Sequence, residues 1–574
     1  MNRKNCLSKL RLIGPIIFAA ILLILNSCGT SPEIADLVLL NGKIVTVDEN
    51  NPQVEAVAAK GDKIIAIGKS RDIQAYVGSY TQTIDLEGKL VIPGFIEGHG
   101  HFMGLGRSRM KLRLAEAKNW NEIVEMVRKA VDEAQPGEWI LGRGWHQDKW
   151  DEIPNPNVNG LPYHTELSEV SPDNRVLLEH ASGHSVIANA KALELAGIDR
   201  NTPDPKGGEI VRDAKGNPIG VFRETAEDLI YDPYKGYYDN RSEEEIEAER
   251  LKAVQLAVEE CLANGVTGFH DAGVTFRTID FYKELIDRGI LNIRINAMIG
   301  EKYDSLIGCL GDYKIIGYGN NHLTVRSIKR VIDGALGSHG AWLLEPYIDI
   351  PTSTGLNTET IEDMRETARL AVENGFQLCT HAIGDRGNRE TLDIYEGAIA
   401  GGKDLRWRIE HAQHLHPDDI PRFGQLGVIA SMQGIHCTSD GPWVNKRLDD
   451  KRIEEGAYVW RTLINSGAKI VNGTDTPVEN VNPLECFYAS VTRKLPDGSL
   501  FYPDQKMTRE EALKSYTINA AYASYDEDIK GSITPGKLAD MVVLSNDIMT
   551  VQEDEISNCE VLYTIVGGKI LYKK

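Results

Sequence analysis

Between residues 89 and 474 the chain repeats one unit, a short apolar run of strand length followed by a stretch of helical length. The apolar runs lie at 89–95, 266–270, 292–299, 324–333, 376–381, 406–411, 427–432 and 468–474. Helices are expected between most of them, for example over 242–263, 358–374, 387–400 and 454–466. Ser242 followed by Glu245 fits a capping box at the first of these. Eight strands joined by helical crossovers predict an α/β fold, a (β/α)8 TIM-like barrel. The interval from about 104 to 241 is too long for one connection. It carries strand runs, a helix near 186–196 and several Pro/Gly turns, and so reads as a large insertion over the barrel mouth.

Both ends of the chain have a different pattern. Leu37–Leu40, Lys43–Thr46 and Lys63–Ile67 are short strand-like runs separated by Asn41-Gly42 and Gly61-Asp62, which are hairpin signals. Residues 541–544, 561–566 and 569–572 repeat the style around Gly567-Gly568. A small β-sandwich domain made from both chain ends is therefore expected, from 28–88 and 535–574, around a barrel domain at 89–534. With 574 residues, 42% apolar and 26% charged, the chain can bury a large core. The formal net charge of −21 argues against a nucleic-acid partner and against a basic membrane-binding face.

The first 27 residues are set apart from the fold. Arg3, Lys4, Lys9 and Arg11 precede an apolar run, Leu12 to Leu25, that is short of the ~20 residues of a membrane span and suits a signal-peptide core. The following Leu25-Asn26-Ser27-Cys28 resembles the lipobox of bacterial lipoproteins, which implies lipid attachment at Cys28 and a periplasmic, membrane-tethered location. Membrane contact would then come only through that lipid. Cys261, Cys309, Cys379, Cys437, Cys486 and Cys559 form no close pair, so neither a disulfide framework nor a cysteine metal site is expected.

Six polar residues sit in or just beyond the strand-like runs: His99, His101, Lys329, His381, His411 and Asp475. In extended chain, residues i and i+2 point the same way, so both imidazoles of the H-x-H pair can reach one cation. All but Lys329 fall at carboxyl ends of strands, where barrel enzymes assemble their sites. Imidazole and carboxylate suit zinc and similar divalent ions. Any one of these residues alone has an ordinary surface or hydrogen-bonding explanation. Their order over five strands points to a centre of one or two metal ions.

The segments PGFIEGHGHF (93–102), GRGWHQDKW (142–150), SIKRVIDGALGSHGAW (327–342), THAIGDRGN (380–388) and RIEHAQHLHPDDI (408–420) continue into ASMQGIHCTSDGPW (430–443), NGTDTPVENVNPL (472–484) and GSITPGKLADMVVLSNDI (531–548). This ordered set resembles the amidohydrolase superfamily, in its family 3 branch, which includes N-substituted formamide deformylases. The resemblance implies one metal on His99, His101 and Asp475, and a second on His381 and His411. Lys329 would be a carboxylated lysine bridging the two, and a mononuclear site is the alternative. It also implies that Asp475 is the catalytic proton carrier in hydrolysis of an amide, formamide or cyclic amide bond.

Trp145, His184, Gln433 and His436 are candidates for contact with a small-molecule, amide-type substrate, with His146, Trp150 and His270 behind them. Gly434 and His339 stand where the family pattern has Pro and Arg, so the substrate's shape is open while the metal core is complete. Two other functions fit the same frame, a non-hydrolytic isomerase or decarboxylase and a non-catalytic binding lipoprotein. Whether the chain forms a homo-oligomer is left open.

Overall fold

The computed structural model describes residues 33–147, 150–180, 185–205, 208–337, 339–399 and 404–574. The signal segment 1–27, Cys28 and His184 lie outside the described residues. Eight parallel strands run in chain order around a barrel: β1 (Phe95–Gly100), β2 (Val266–Val274), β3 (Arg294–Ile299), β4 (Leu323–Val331), β5 (Gln377–Ala382), β6 (Arg408–His411), β7 (Ile429–Met432) and β8 (Ile470–Asn472). Each pairs in parallel with its successor, and one short antiparallel strand, Ile315–Gly317, adds to β4.

The seam between β8 and β1 closes on glycine. Asp475 N donates to His99 O at 2.8 Å and Thr474 N to Glu97 Oε1 at 2.5 Å. A Cβ at Gly98 would collide with Asn472 O, and one at Gly473 would lie 2.6 Å from His99 N. Only glycine lets the two backbones approach this closely.

The structure corrects three expected elements. The apolar run at 89–95 is two strands in two sheets: Leu90–Pro93 joins the sheet of the chain ends, and β1 begins at Phe95. The break falls at Gly94, where a Cβ would collide with the Thr267 side chain. Asn41-Gly42 is not a hairpin, because Leu37–Leu40 and Lys43–Val45 lie in different sheets and the chain crosses between them. Gly61-Asp62 and Gly567-Gly568 do join antiparallel neighbours. The helix expected at 454–466 is two short ones, Asp450–Gly456 and Trp460–Asn465, parted at Tyr458 with φ of 54°. The other three expected helices are Glu243–Ala263, with both arms of the Ser242/Glu245 capping box formed, Ile361–Asn374 and Asp385–Ile399.

The chain ends supply a four-stranded and a six-stranded sheet. Leu39, Ile44, Val57, Val91, Met541, Val543 and Ile565 share one core, which draws on residues from both ends of the chain. A further six-stranded sheet is built wholly from residues between 112 and 224, and includes Trp139–Trp145, Arg175–His180 and Ser185–Ala188. Its core has Trp120, Trp145, Val176 and Leu178 fully or nearly buried. The helix expected near 186–196 is Ala190–Ala196, capped by the Asn189 side chain. Among the described residues, no helix is long and apolar enough to cross a membrane.

Candidate metal centre

At the carboxyl end of the barrel the backbone turns sharply at two ligand candidates. His411 has φ of 74°, the next residue Ala412 has 41°, and Asp475 has 54°. These are left-handed conformations that side chains other than glycine adopt at a cost of order 1–3 kcal/mol each, held only where the surroundings fix them. Both turns swing a side chain from the end of its strand over the mouth.

His99, His101 and Asp475 converge there. Asp475 Oδ1 lies 3.2 Å from His101 Nε2 and 3.6 Å from His99 Nε2. One ligand atom from each of the three falls within 4.8 Å of the others, a grouping able to hold a metal ion. His99 Nε2 and Asp475 Oδ1 are buried without a hydrogen-bond partner. A buried polar atom without a partner is costly, and several aimed together are the mark of a cation site. Nitrogen, nitrogen and oxygen donors of this kind fit a divalent metal such as zinc.

The other nitrogen of each ring is tied down. His99 Nδ1 meets Glu410 Oε2 at 2.6 Å, and His101 Nδ1 meets Ala272 O at 2.8 Å. A carboxylate or carbonyl can only accept, so each Nδ1 carries the proton and each Nε2 presents a lone pair. His411 is set the same way by Gln433 Oε1, 2.7 Å from its Nδ1. His381 packs against His411 with ring centroids 4.5 Å apart, and its Nε2 lies 3.6 Å from Asp333 Oδ1. Lys329 is buried on β4, in register with Cys379 of β5.

Electrostatics follow from burial. Desolvation holds His411 down to about 3 and His381 well below the usual imidazole value, so both rings are neutral at physiological pH. Burial likewise lowers Lys329, against the pull of Glu410 and Asp475. Burial pushes Asp475 up, but the imidazoles of His101, His411 and His99 gathered around it outweigh burial and keep its carboxyl well below the ordinary range.

Beneath the mouth lies a network that a search for apolar runs misses. Arg408 and Glu410, two apart on β6, share the face that points into the barrel, and both are fully buried. Arg408 donates to Glu410 from Nε at 2.7 Å and from Nη2 at 2.9 Å. It also reaches Gly98 O on β1, Ser431 Oγ on β7 and His270 Nδ1 on β2. The signal in the sequence was the period of two in Arg408-Ile409-Glu410, two opposite charges on one face of a strand. Asp333, two residues past β4, is a second buried support. Its carboxylate accepts from the backbone N–H of Trp342, Ile383 and Gly384 at 2.8–3.0 Å, and so fixes the loop behind His381.

The substrate-contact candidates divide. Trp145 is 0% exposed and donates from Nε1 to Leu178 O, so it belongs to the core of the inserted sheet and does not line the site. A large aromatic is read equally well as wall or as core from sequence, and here the apolar side won. Gln433 is spent on orienting His411. His436 stacks beside His411 at 6.3 Å. His270 is an interior partner of Arg408.

Comparison with known proteins agrees with this architecture. The profile of the amidohydrolase family matches residues 82–572. The chain is 35% identical over 556 residues to the Arabidopsis thaliana protein LONG AFTER FAR-RED 3, covering 94% of this chain and 92% of that protein. It is 28% identical over 558 residues to N-substituted formamide deformylase of Arthrobacter pascens, covering 94% and 99%. The crystal structure of an uncharacterized metal-dependent hydrolase from Pyrococcus horikoshii OT3 superposes with a TM-score of 0.70 at 27% identity, covering 90% of this chain and 99% of that one. With a matching profile over most of its length and the fold of a metal-dependent hydrolase, the chain belongs to the amidohydrolase family.

Proposed function

We propose that the protein hydrolyses a carbon–nitrogen bond other than a peptide bond, in an amide, formamide or cyclic amide, with one or two zinc-like cations at the barrel mouth. The observation that carries this reading is the convergence of the unpartnered His99 Nε2 and Asp475 Oδ1 with His101 Nε2. His99, His101 and Asp475 would hold one ion, and His381 and His411 a second. A cation in such a set acidifies water and polarises a carbonyl oxygen. The relative from Arthrobacter pascens, named for formamide deformylation, supports the choice of bond.

The chain's own groups then divide the work. Asp475, 3.2 Å from His101 Nε2, accepts the proton of the attacking water and passes it to the leaving nitrogen. Glu410 and Gln433 keep His99 and His411 in the tautomer that presents Nε2. Lys329 is the remaining basic group at the centre. Addition of its neutral amine to carbon dioxide, with loss of one proton, gives a carbamate anion and removes an ammonium from beside the cation positions.

Metal analysis of the purified protein, with a screen of N-acyl, formamide and cyclic amide compounds in oxygen-18 water, tests the proposal. Label is expected in the carboxyl product, and His381→Ala should lose turnover. Full activity after metal stripping, or product without label, would defeat it. For location, we propose an exported lipoprotein tethered at Cys28, with motivation from residues 1–28 alone. Mass spectrometry of the mature N-terminus should find an acylated cysteine, and an unprocessed Met1 would refute it.

A further inference from the structure

The helix Gly434–Asp440 leaves the mouth end of β7 and carries His436 in its first turn and Asp440 in its last. Residues four apart share a helix face and are about 6 Å apart along the axis. His436 is 9% exposed, lies over His411 with rings nearly parallel at 16°, and buries an Nε2 with no hydrogen-bond partner. Asp440 stands one turn further from the centre and is half-buried. Its Oδ2 accepts from Tyr458 OH at 2.6 Å and from Gln413 Nε2 at 3.0 Å, both neutral donors. Among the described residues its carboxylate has no ion pair, and its Oδ1 takes no hydrogen bond. The backbone N–H of Trp443 donates to the backbone carbonyl of Asp440 at 2.9 Å, and the Trp443 ring edge lies toward Gly337 of the loop after β4.

A partly desolvated carboxylate held by neutral groups is an uncompensated charge, and the ligand that relieves it is a cation with hydrogens to donate. We propose that Asp440 is a specificity residue, forming with His436 a subsite for a protonated amine on the substrate. The amine would sit one helical turn from His436, which places it roughly five bonds from the amide that reacts. The net charge of −21 favours the approach of a cation. The location of the reacting amide rests on the hydrolase reading above, whereas the amine subsite itself does not.

The test uses three probes of equal length on the metal-loaded, full-length mature protein: N-(5-aminopentyl)acetamide, N-hexylacetamide and 5-acetamidopentanoate. Binding is measured by titration calorimetry, and turnover by product release. The wild type should bind the amine at least tenfold more tightly than the neutral probe, and the carboxylate most weakly. Asp440→Asn keeps an acceptor for Tyr458 and Gln413, and should make amine and neutral probes equivalent. A wild type that ranks the probes otherwise, or that binds none of them, overturns the subsite without recourse to any variant. Selection for the amine that survives in Asp440→Asn overturns it as well. Asp440-dependent binding without hydrolysis of any probe would leave the subsite standing and count against the hydrolase reading.

Discussion

Replacement of Glu410 by Gln separates two roles that one carboxylate performs. Glu410 Oε1 accepts from Arg408 Nε, while Oε2 accepts from His99 Nδ1 at 2.6 Å and from Arg408 Nη2. An amide has one oxygen, so its NH2 must face either the guanidinium or the imidazole N–H, donor against donor. Arg408 is 0% exposed and has no other carboxylate partner among its contacts, so the variant leaves a buried cation uncompensated. Breaking one member of a buried pair costs about 3–5 kcal/mol. His99 also loses the acceptor that fixes its tautomer, and loss of such a partner typically weakens metal binding 10–100-fold. Arg408→Met combined with Glu410→Gln removes the stranded charge and should recover much of the stability, but not the metal affinity. Urea denaturation of the three proteins, with competitive zinc titration against a chromogenic chelator, reads both quantities. A Glu410→Gln variant within 1 kcal/mol of wild type and with unchanged zinc affinity would refute the reasoning, as would a double variant that regains full affinity.

Asp475→Asn should lower turnover of any amide substrate by about 10²–10⁴ in kcat while the protein stays folded, checked by steady-state kinetics and circular dichroism. Gly473→Ala should cost about 1–3 kcal/mol and weaken zinc binding, because its Cβ would meet His99 N at 2.6 Å across the seam; thermal melting and the same titration check it. Stripping the metal should lower the melting temperature, since a ligand present at 1,000 times its Kd stabilises by about 4 kcal/mol, and zinc should restore it. Buried His414 is held down to about 3 from 6.5. The unfolded chain binds that proton more readily, so this contribution to stability is complete above about pH 6.5 and is lost progressively as pH falls towards 3. His414→Gln should flatten that acid limb in urea midpoints measured from pH 7 to 4, and an identical limb would count against it.

The barrel was legible because most of its strands carry apolar runs, with His99, His381 and Asp475 at or just beyond their carboxyl ends. What stayed hidden was everything decided by side-chain partners. Arg408 and Glu410 look like surface charges until β1, β2 and β7 are seen to surround them, which only closure of the barrel brings about. Trp145 has the same composition cue whether it lines a pocket or fills a core, and the strand pairing of Trp139–Trp145 with Arg175–His180 placed it in the core. At 89–95 one apolar run serves two sheets, since Gly94 permits a close crossing against Thr267 without breaking hydrophobicity. The common cause is that periodicity reports which side of an element is buried, whereas function here depends on what is buried opposite it. Asp440 is the sharpest instance. It is an unremarked acid in a turn-like stretch, Ser439-Asp440-Gly441-Pro442, until Tyr458 and Gln413 are seen to hold one of its oxygens and leave the other without a hydrogen bond among the described residues.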